Sequence, residues 1–332
     1  MSNVKSINSN NWRKHPNNQW SFQNIEKLFS TQRINKGERK SSEFSIKNKP
    51  IDKIEFSNLE QKKQTIKEML VNGYADSFLV LQRGKIIYEE YFNGMNQSSL
   101  HLINSISKNF LGMLTGILHE NKHIDVDKKV SEYLPEFSQS VFSETTLRHA
   151  LDMTAAVKYD ETYDNPNADF WHETSTVGWN PSLEKENPSN LLDFALCLKE
   201  KEQLDGDSYH YRTILTNIIA ITIEAATEKK MSNLLENLLW QKLLPEQDLL
   251  MVVDNKNYPY MGAGLNACTR DLARFGQMLL QQGVFNGNEV IPASWIQETA
   301  MADNSYKENF SKDPFGELFP NGHYKNQTIV DK

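Results

Sequence analysis

The stretch from residue 105 to residue 118 constrains the fold of this chain more than any other. It opens with the polar residues Ser105 and Lys108, three positions apart. Apolar residues then recur at helical spacing, at Phe110, Leu111, Leu114, Ile117 and Leu118. This period predicts an amphipathic helix that begins at Ser105 and has one face to bury. The rest of the chain must supply elements that cover that face.

The serine and lysine at the helix start have two interpretations. They lie one turn apart on the same face, so the amine of Lys108 can take the proton of the Ser105 hydroxyl. The unpaired N–H groups of the first turn can hold a developing oxyanion. In the alternative interpretation, Ser105 caps the helix and Lys108 is solvated. The same letters recur at Ser2–Lys5 and Ser182–Lys185, but neither opens an apolar-periodic helix.

Composition narrows the class of protein. The chain has 332 residues, 39% hydrophobic and 24% charged, which is ordinary for a globular protein of one large or two moderate domains. Its 36 basic and 43 acidic residues give a net charge of −7, which disfavours nucleic-acid and membrane partners. The N-terminus has no apolar signal core, and no run is long enough to span a membrane. We therefore expect a cytoplasmic, soluble protein.

The order of patterns along the chain predicts a mixed α/β (α+β) fold. Residues 1–50 are predicted to be an arm docked by aromatic anchors. Two adjoining strand patterns, 77–82 and 86–92, predict a hairpin and so an antiparallel sheet flanked by helices. We place this sheet domain in residues 51–104 and 255–332, around an inserted helical domain, residues 105–254.

Smaller patterns carry further predictions. Residues 57–60 match a capping box that would open a helix ending at Gly73. A polar segment, residues 158–187, has the length of a functional lid. Cys197 and Cys268 both lie in apolar helical patterns, which predicts buried free thiols rather than a disulfide.

Residues 119–123 read His-Glu-Asn-Lys-His, the pattern of a zinc hydrolase. That chemistry needs His119 and His123 on one helical face, a third ligand and an open site. Here the motif falls where Asn121 and the residues after it predict the end of the helix. Histidines at such a position also complement the helix dipole. The zinc hydrolase is kept as an alternative.

A serine–lysine pair benefits from a third group that passes the proton to the leaving atom, and a tyrosine beside a lysine can do so. Tyr211 stands just before the apolar helix pattern of residues 214–226. Tyr163 and Asn165 form a competing Tyr-x-Asn triplet within the polar segment.

Four motifs, at residues 105–112, 147–154, 209–213 and 262–276, come in an order that resembles the serine β-lactamase-like hydrolases. The similarity covers residues 10–332 and lies in the class C and esterase branch, closest to the 6-aminohexanoate-dimer hydrolase type. It implies a β-lactamase/transpeptidase-like fold, no cofactor and no metal. It also implies Ser105 as nucleophile, Lys108 as its activator and Tyr211 as proton shuttle. The Ser105 N–H would make half of the oxyanion hole, and the late strand with His323 and Tyr324 the other half.

The chain departs from the family pattern at three points. Thr213 stands where asparagine or serine is usual, and Ala155–Ala156 where a glycine is usual. The family also continues through further strands and a C-terminal helix, so the sheet domain is expected to be incomplete at its end.

We therefore predict a serine hydrolase that forms an acyl-enzyme with small esters or amides, as a monomer or homodimer. A non-catalytic ligand-binding member of the same fold is the other alternative.

Overall fold

The computed structural model of the chain describes residues 6–181 and 188–331. The helices in these ranges are α1 Asn18–Ser21, α2 Ile66–Asn72, α3 Ile106–Glu120, α4 Val130–Tyr133, α5 Leu147–Leu151, α6 Asp169–Thr176, α7 Leu191–Cys197, α8 Thr213–Thr227, α9 Met231–Leu238, α10 Thr269–Leu280, α11 Ala293–Ala300, α12 Asn304–Phe310 and α13 Pro314–Leu318. The strands are β1 Thr31–Ile34, β2 Ser45–Ile46, β3 Glu55–Ser57, β4 Lys63–Thr65, β5 Ser77–Gln82, β6 Lys85–Tyr91, β7 His101–Leu102, β8 Leu249–Val252, β9 Leu265–Ala267, β10 Val284–Phe285, β11 Asn288–Glu289, β12 His323–Lys325 and β13 Thr328–Val330.

The sheets confirm the predicted class, a mixed fold with antiparallel strands between helices. One sheet has the order β1-β8-β9-β7, with every pair antiparallel. A second has the order β2-β6-β5, in which β5 and β6 form the predicted hairpin. The first sheet takes β1 from the segment predicted as an arm and β8 from the segment predicted as helical. The division into domains remains a prediction.

Helix α3 is the predicted amphipathic helix, and other elements approach it closely. Phe110 is fully buried and stacks on Phe275 of α10 with ring centroids 4.0 Å apart. On another side, Trp295 donates from Nε1 to the Gly112 carbonyl at 3.0 Å. A Cβ atom at Gly112 would lie 2.1 Å from the Asn326 carbonyl, and one at Gly116 2.3 Å from Trp295. Small residues on this face therefore let α11 and the turn between β12 and β13 pack directly on the helix.

Two local predictions were wrong. The capping box is Thr65 with Glu68, whose carboxylate accepts the Thr65 N–H at 2.7 Å. Ser57 instead ends β3 and pairs with β4, so the strand ladder takes its backbone groups; the helix still ends at Gly73. Cys268 is buried, but Cys197, the last residue of α7, is exposed.

The polar segment after residue 158 is built into the body of the protein. It contains α6, on which Glu173 is fully buried. Trp179, just beyond α6, accepts at its carbonyl from Trp12 Nε1 at 2.8 Å. Residues 182–187, and with them Ser182 and Lys185, lie outside the described residues, as do Ser2 and Lys5. In the described ranges, no helix combines the length and hydropathy needed to cross a membrane.

Candidate active site

Ser105 lies at the junction between β7 and α3. The residue before it, Asn104, has a φ of 44°, a left-handed conformation that asparagine adopts more readily than most residues. Ser105 is exposed, and within the described residues its side chain makes no capping hydrogen bond to α3. Ser107 makes the local contact instead, donating from Oγ to the Asn104 carbonyl at 2.6 Å. The geometry therefore does not support the capping interpretation of Ser105, an exposed residue that directly follows a left-handed one.

Lys108 is 2% exposed, and polar contacts compensate the burial of its amine. Its Nζ lies 2.7 Å from the Gly262 carbonyl, 3.1 Å from Thr213 Oγ1 and 3.2 Å from Ser105 Oγ. These three oxygens come from three separate segments of the chain. The geometry therefore excludes a solvated surface lysine.

Tyr211 precedes α8, and its buried ring closes the other side of the amine. Lys108 Nζ lies 4.8 Å from the ring centroid, within the range of a cation–π contact. The ring also lies 5.2 Å from that of Phe315, at the start of α13. The structure thus brings Ser105, Lys108 and Tyr211 together. Tyr163, from the competing triplet, is exposed at 54% and binds a neighbouring carboxylate.

That carboxylate belongs to Glu161, a residue that sequence reasoning missed. Thr213, the first residue of α8, donates from its N–H to Glu161 Oε2 at 2.5 Å and from Oγ1 to Oε1 at 2.6 Å. Tyr163 donates its hydroxyl to Oε1 at 2.9 Å. Burial raises the pKa of Glu161, against the opposing effects of the Lys108 charge and the Thr213 donors. Glu161 occupies the N-terminus of α8, where an anion is stabilised.

A second carboxylate lies behind the amine. The N–H of Gly262 donates to Asn217 Oδ1 at 2.9 Å, and Asn217 Nδ2 donates to Glu173 Oε1 at 2.5 Å. The other oxygen of Glu173 accepts the hydroxyl of Tyr159. Complete burial raises the pKa of Glu173 to about 8. This network fixes the backbone of Gly262, whose carbonyl binds Lys108.

The predicted oxyanion strand is β12. The ring of His323 lies against the Thr299 carbonyl, with Nε2 at 2.9 Å, and Tyr324 packs its ring 5.1 Å from that of Tyr209. Both side chains are buried. The nearest link from this hairpin to the start of α3 is Asn109, which donates from Nδ2 to the Gln327 carbonyl at 2.9 Å. The oxyanion role of His323 and Tyr324 remains a prediction.

The zinc pattern at the far end of α3 does not form its required helix. The helix ends at Glu120, and Lys122 has a φ of 58°. His119 packs near the Trp295 ring at 5.9 Å, whereas His123 lies past the helix and is exposed. Within residues 6–181 and 188–331, no group of three or more His, Cys, Asp or Glu side chains is arranged to hold a metal ion.

A cavity of about 600 Å³ opens beside Tyr211 and Glu161. Tyr163 and Phe315 form further parts of its wall. Its volume is in the range of small-molecule sites. Carboxylates dominate its charged lining, namely Asp160, Glu161, Asp169, Glu202 and Asp313.

The chain is similar in sequence to known proteins. Residues 64–322 match the family model described as Beta-lactamase. A 6-aminohexanoate-dimer hydrolase from Paenarthrobacter ureafaciens is 27% identical over 318 residues, covering 95% of this chain and 78% of that protein.

Solved structures give the same fold. A candidate 6-aminohexanoate-dimer hydrolase from Bacillus anthracis superposes with a TM-score of 0.89 at 24% identity, over 98% of this chain and 83% of that one. EstCE1, described as a hydrolase with promiscuous acyltransferase activity, superposes with a TM-score of 0.59 at 14% identity, over 80% of each chain. At these identities the two superpositions establish the fold alone.

Proposed function

Because this chain belongs to the β-lactamase family, we propose that it is a serine hydrolase that works through a covalent acyl-enzyme on Ser105. One observation carries the proposal: the buried amine of Lys108 lies 3.2 Å from Ser105 Oγ and is held there by acceptors on two other segments. A buried amine so close to the hydroxyl of an exposed serine suits the removal of the hydroxyl proton.

The chemistry proceeds in two halves. Ser105 Oγ attacks the substrate carbonyl while its proton passes to neutral Lys108, and the Ser105 N–H stabilises the oxyanion. The N–H groups of the next three residues already donate to the carbonyls of residues 103–105. The leaving group takes a proton through Tyr211, which gives an acyl-enzyme and a free alcohol or amine. Water then attacks the acyl group, and the proton path runs in reverse. The second side of the oxyanion hole is proposed to come from the strand with His323 and Tyr324.

The proposed substrates are small esters and short amides. The curated relative is described as a 6-aminohexanoate-dimer hydrolase, and EstCE1 as a hydrolase with acyltransferase activity. The cavity of about 600 Å³ adjoins the site through Tyr211, and its volume suits a substrate of that size, whereas Ser105 and Lys108 are not part of its lining. A cytoplasmic location, a monomeric or homodimeric state and the absence of nucleic-acid partners belong to the same proposal.

The test is intact mass after incubation with a fluorophosphonate probe, which labels activated serines. We expect one adduct on the wild type and on Ser98→Ala, an exposed control serine, and none on Ser105→Ala. Thermal melts establish that all three proteins are folded. A folded wild type without an adduct would overturn the proposal and favour a ligand-binding role for the same cleft.

A further inference from the structure

The hydroxyl of Thr213 stands between two groups of the site. It lies 3.1 Å from Lys108 Nζ and 2.6 Å from Glu161 Oε1. A hydroxyl has one hydrogen to donate, and an ionised carboxylate can only accept. The hydrogen of Thr213 is therefore committed to Glu161, and only its lone pairs are available to Lys108.

The direction of the Thr213 hydroxyl limits which hydrogen bonds the Lys108 amine can make. The Gly262 carbonyl, at 2.7 Å from Nζ, is also an acceptor only. A neutral amine has two N–H bonds and one lone pair. When the N–H bonds point at Gly262 and Thr213, the lone pair is left for Ser105, the third neighbour at 3.2 Å. A base must present that lone pair to the hydroxyl proton.

We propose that Glu161 is a positioning residue for the serine–lysine step: by fixing the direction of the Thr213 hydroxyl, it aims the lone pair of Lys108 at Ser105. This inference rests on the proposed function. The position usually carries asparagine or serine in the family. A threonine hydroxyl can donate to the Lys108 amine or accept from it, and Glu161, by taking the hydrogen, leaves it only the accepting role.

Glu161 is itself held in place for this role. The Thr213 N–H donates to Oε2 and Tyr163 donates to Oε1, so both oxygens are oriented by donors. Three donors on one carboxyl group favour its ionised form, and together with the Lys108 charge they oppose the burial that raises the pKa of Glu161.

The test uses Glu161→Gln and Thr213→Val, alone and combined. The glutamine oxygen still accepts the Thr213 N–H, but its NH₂ group donates to the Thr213 hydroxyl and reverses its direction. Pre-steady-state bursts with 4-nitrophenyl acetate give the acylation rate. We expect Glu161→Gln to slow acylation by about tenfold or more, with KM changed by less than about twofold. Glu161→Asp keeps an acceptor-only group, so it should acylate faster than Glu161→Gln.

The double variant separates this role from a general loss of charge or stability. Once Thr213→Val has removed the hydroxyl, there is nothing to orient, so adding Glu161→Gln should change acylation by less than about twofold. Glu308→Gln removes one exposed negative charge elsewhere and should match the wild type. An undiminished rate in Glu161→Gln, or the same loss with and without the Thr213 hydroxyl, would overturn the positioning role alone. A folded wild type that forms no acyl-enzyme would overturn the proposed function and this inference together.

Discussion

Each end of α3 carries a known catalytic sequence motif, but the structural surroundings of the two motifs differ. At the start, Lys108 is buried against the Gly262 carbonyl and the Thr213 hydroxyl, beside Ser105. At the end, the helix stops at Glu120, and His123 is exposed. Distant segments of the chain therefore enclose the serine–lysine motif, whereas the histidine motif runs past the end of the helix to an exposed residue.

The difference lies in what surrounds each motif. A metal site of the His-Glu-x-x-His type needs only the continuity of one helix and a further ligand, and here the helix ends too early. The serine–lysine pair needs partners from elsewhere, and the loop between β8 and β9 and the start of α8 supply them. This contrast between the two ends leads to three predictions.

The largest effect is expected at Lys108. Lys108→Met removes the base and should lower acylation by about a thousandfold or more, since the serine then has no group to take its proton. Lys122→Met, an exposed lysine at the other end of the helix, is the matched control and should retain the wild-type rate. The measurement is the burst rate with 4-nitrophenyl acetate, with thermal melts to verify folding. Comparable losses of acylation rate in the two variants would show that the two ends of α3 do not differ in function.

A smaller effect is expected at Glu173, which belongs to the hydrogen-bond network that holds the Gly262 backbone against the Lys108 amine. Burial raises the pKa of Glu173 to about 8, with Glu161 adding to the shift and Tyr159 and Lys108 opposing it. Between the ordinary value of 4.5 and 8, the folded protein holds a proton that the unfolded chain has lost. The free energy of unfolding therefore falls as pH rises through this window, by at most about 5 kcal/mol.

Glu173→Gln isolates that contribution, because the amide does not ionise. Urea unfolding at pH 5 and pH 8 should show a smaller decrease in this variant than in the wild type. Glu308→Gln, at an exposed position, should keep the wild-type decrease. An identical pH dependence in wild type and Glu173→Gln would show that this carboxylate does not carry the effect.

The smallest effect is expected at the histidines. His119→Ala with His123→Ala should leave ester turnover within about twofold, because neither ring contacts the serine–lysine pair. Metal analysis should find no stoichiometric zinc in the wild type, and chelator should leave turnover unchanged. Bound zinc in the wild type, together with a large loss of turnover in the double histidine variant, would favour the zinc hydrolase alternative.

Sequence patterns predicted the part of this site that lies at the start of α3. Ser105 and Lys108 are neighbours at the start of one helix, so local periodicity predicts that they share one of its faces. The hairpin of β5 and β6 was predicted for the same reason, since it depends on adjoining segments. The capping box was misplaced because the ladder between β3 and β4 competes for the backbone of Ser57, which no local pattern reveals.

The other half depends on contacts between distant residues. Glu161 reaches Thr213 across 52 positions and Glu173 reaches Asn217 across 44, from a segment whose polar composition indicated a loop. No periodicity marks either carboxylate. The departure at Thr213 was visible in the sequence, but it does not say which residue lies against that hydroxyl.

Lys108 draws its acceptors from positions 105 and 154 residues further along the chain. A nascent chain that stops short of residue 262 therefore has the serine and the lysine without the carbonyl that helps to hold the amine. The pair acquires its full setting only when β9 and α8 have docked on α3. Labelling of Ser105 can thus serve as a reporter of late tertiary assembly, and newly made or misfolded copies lack that setting.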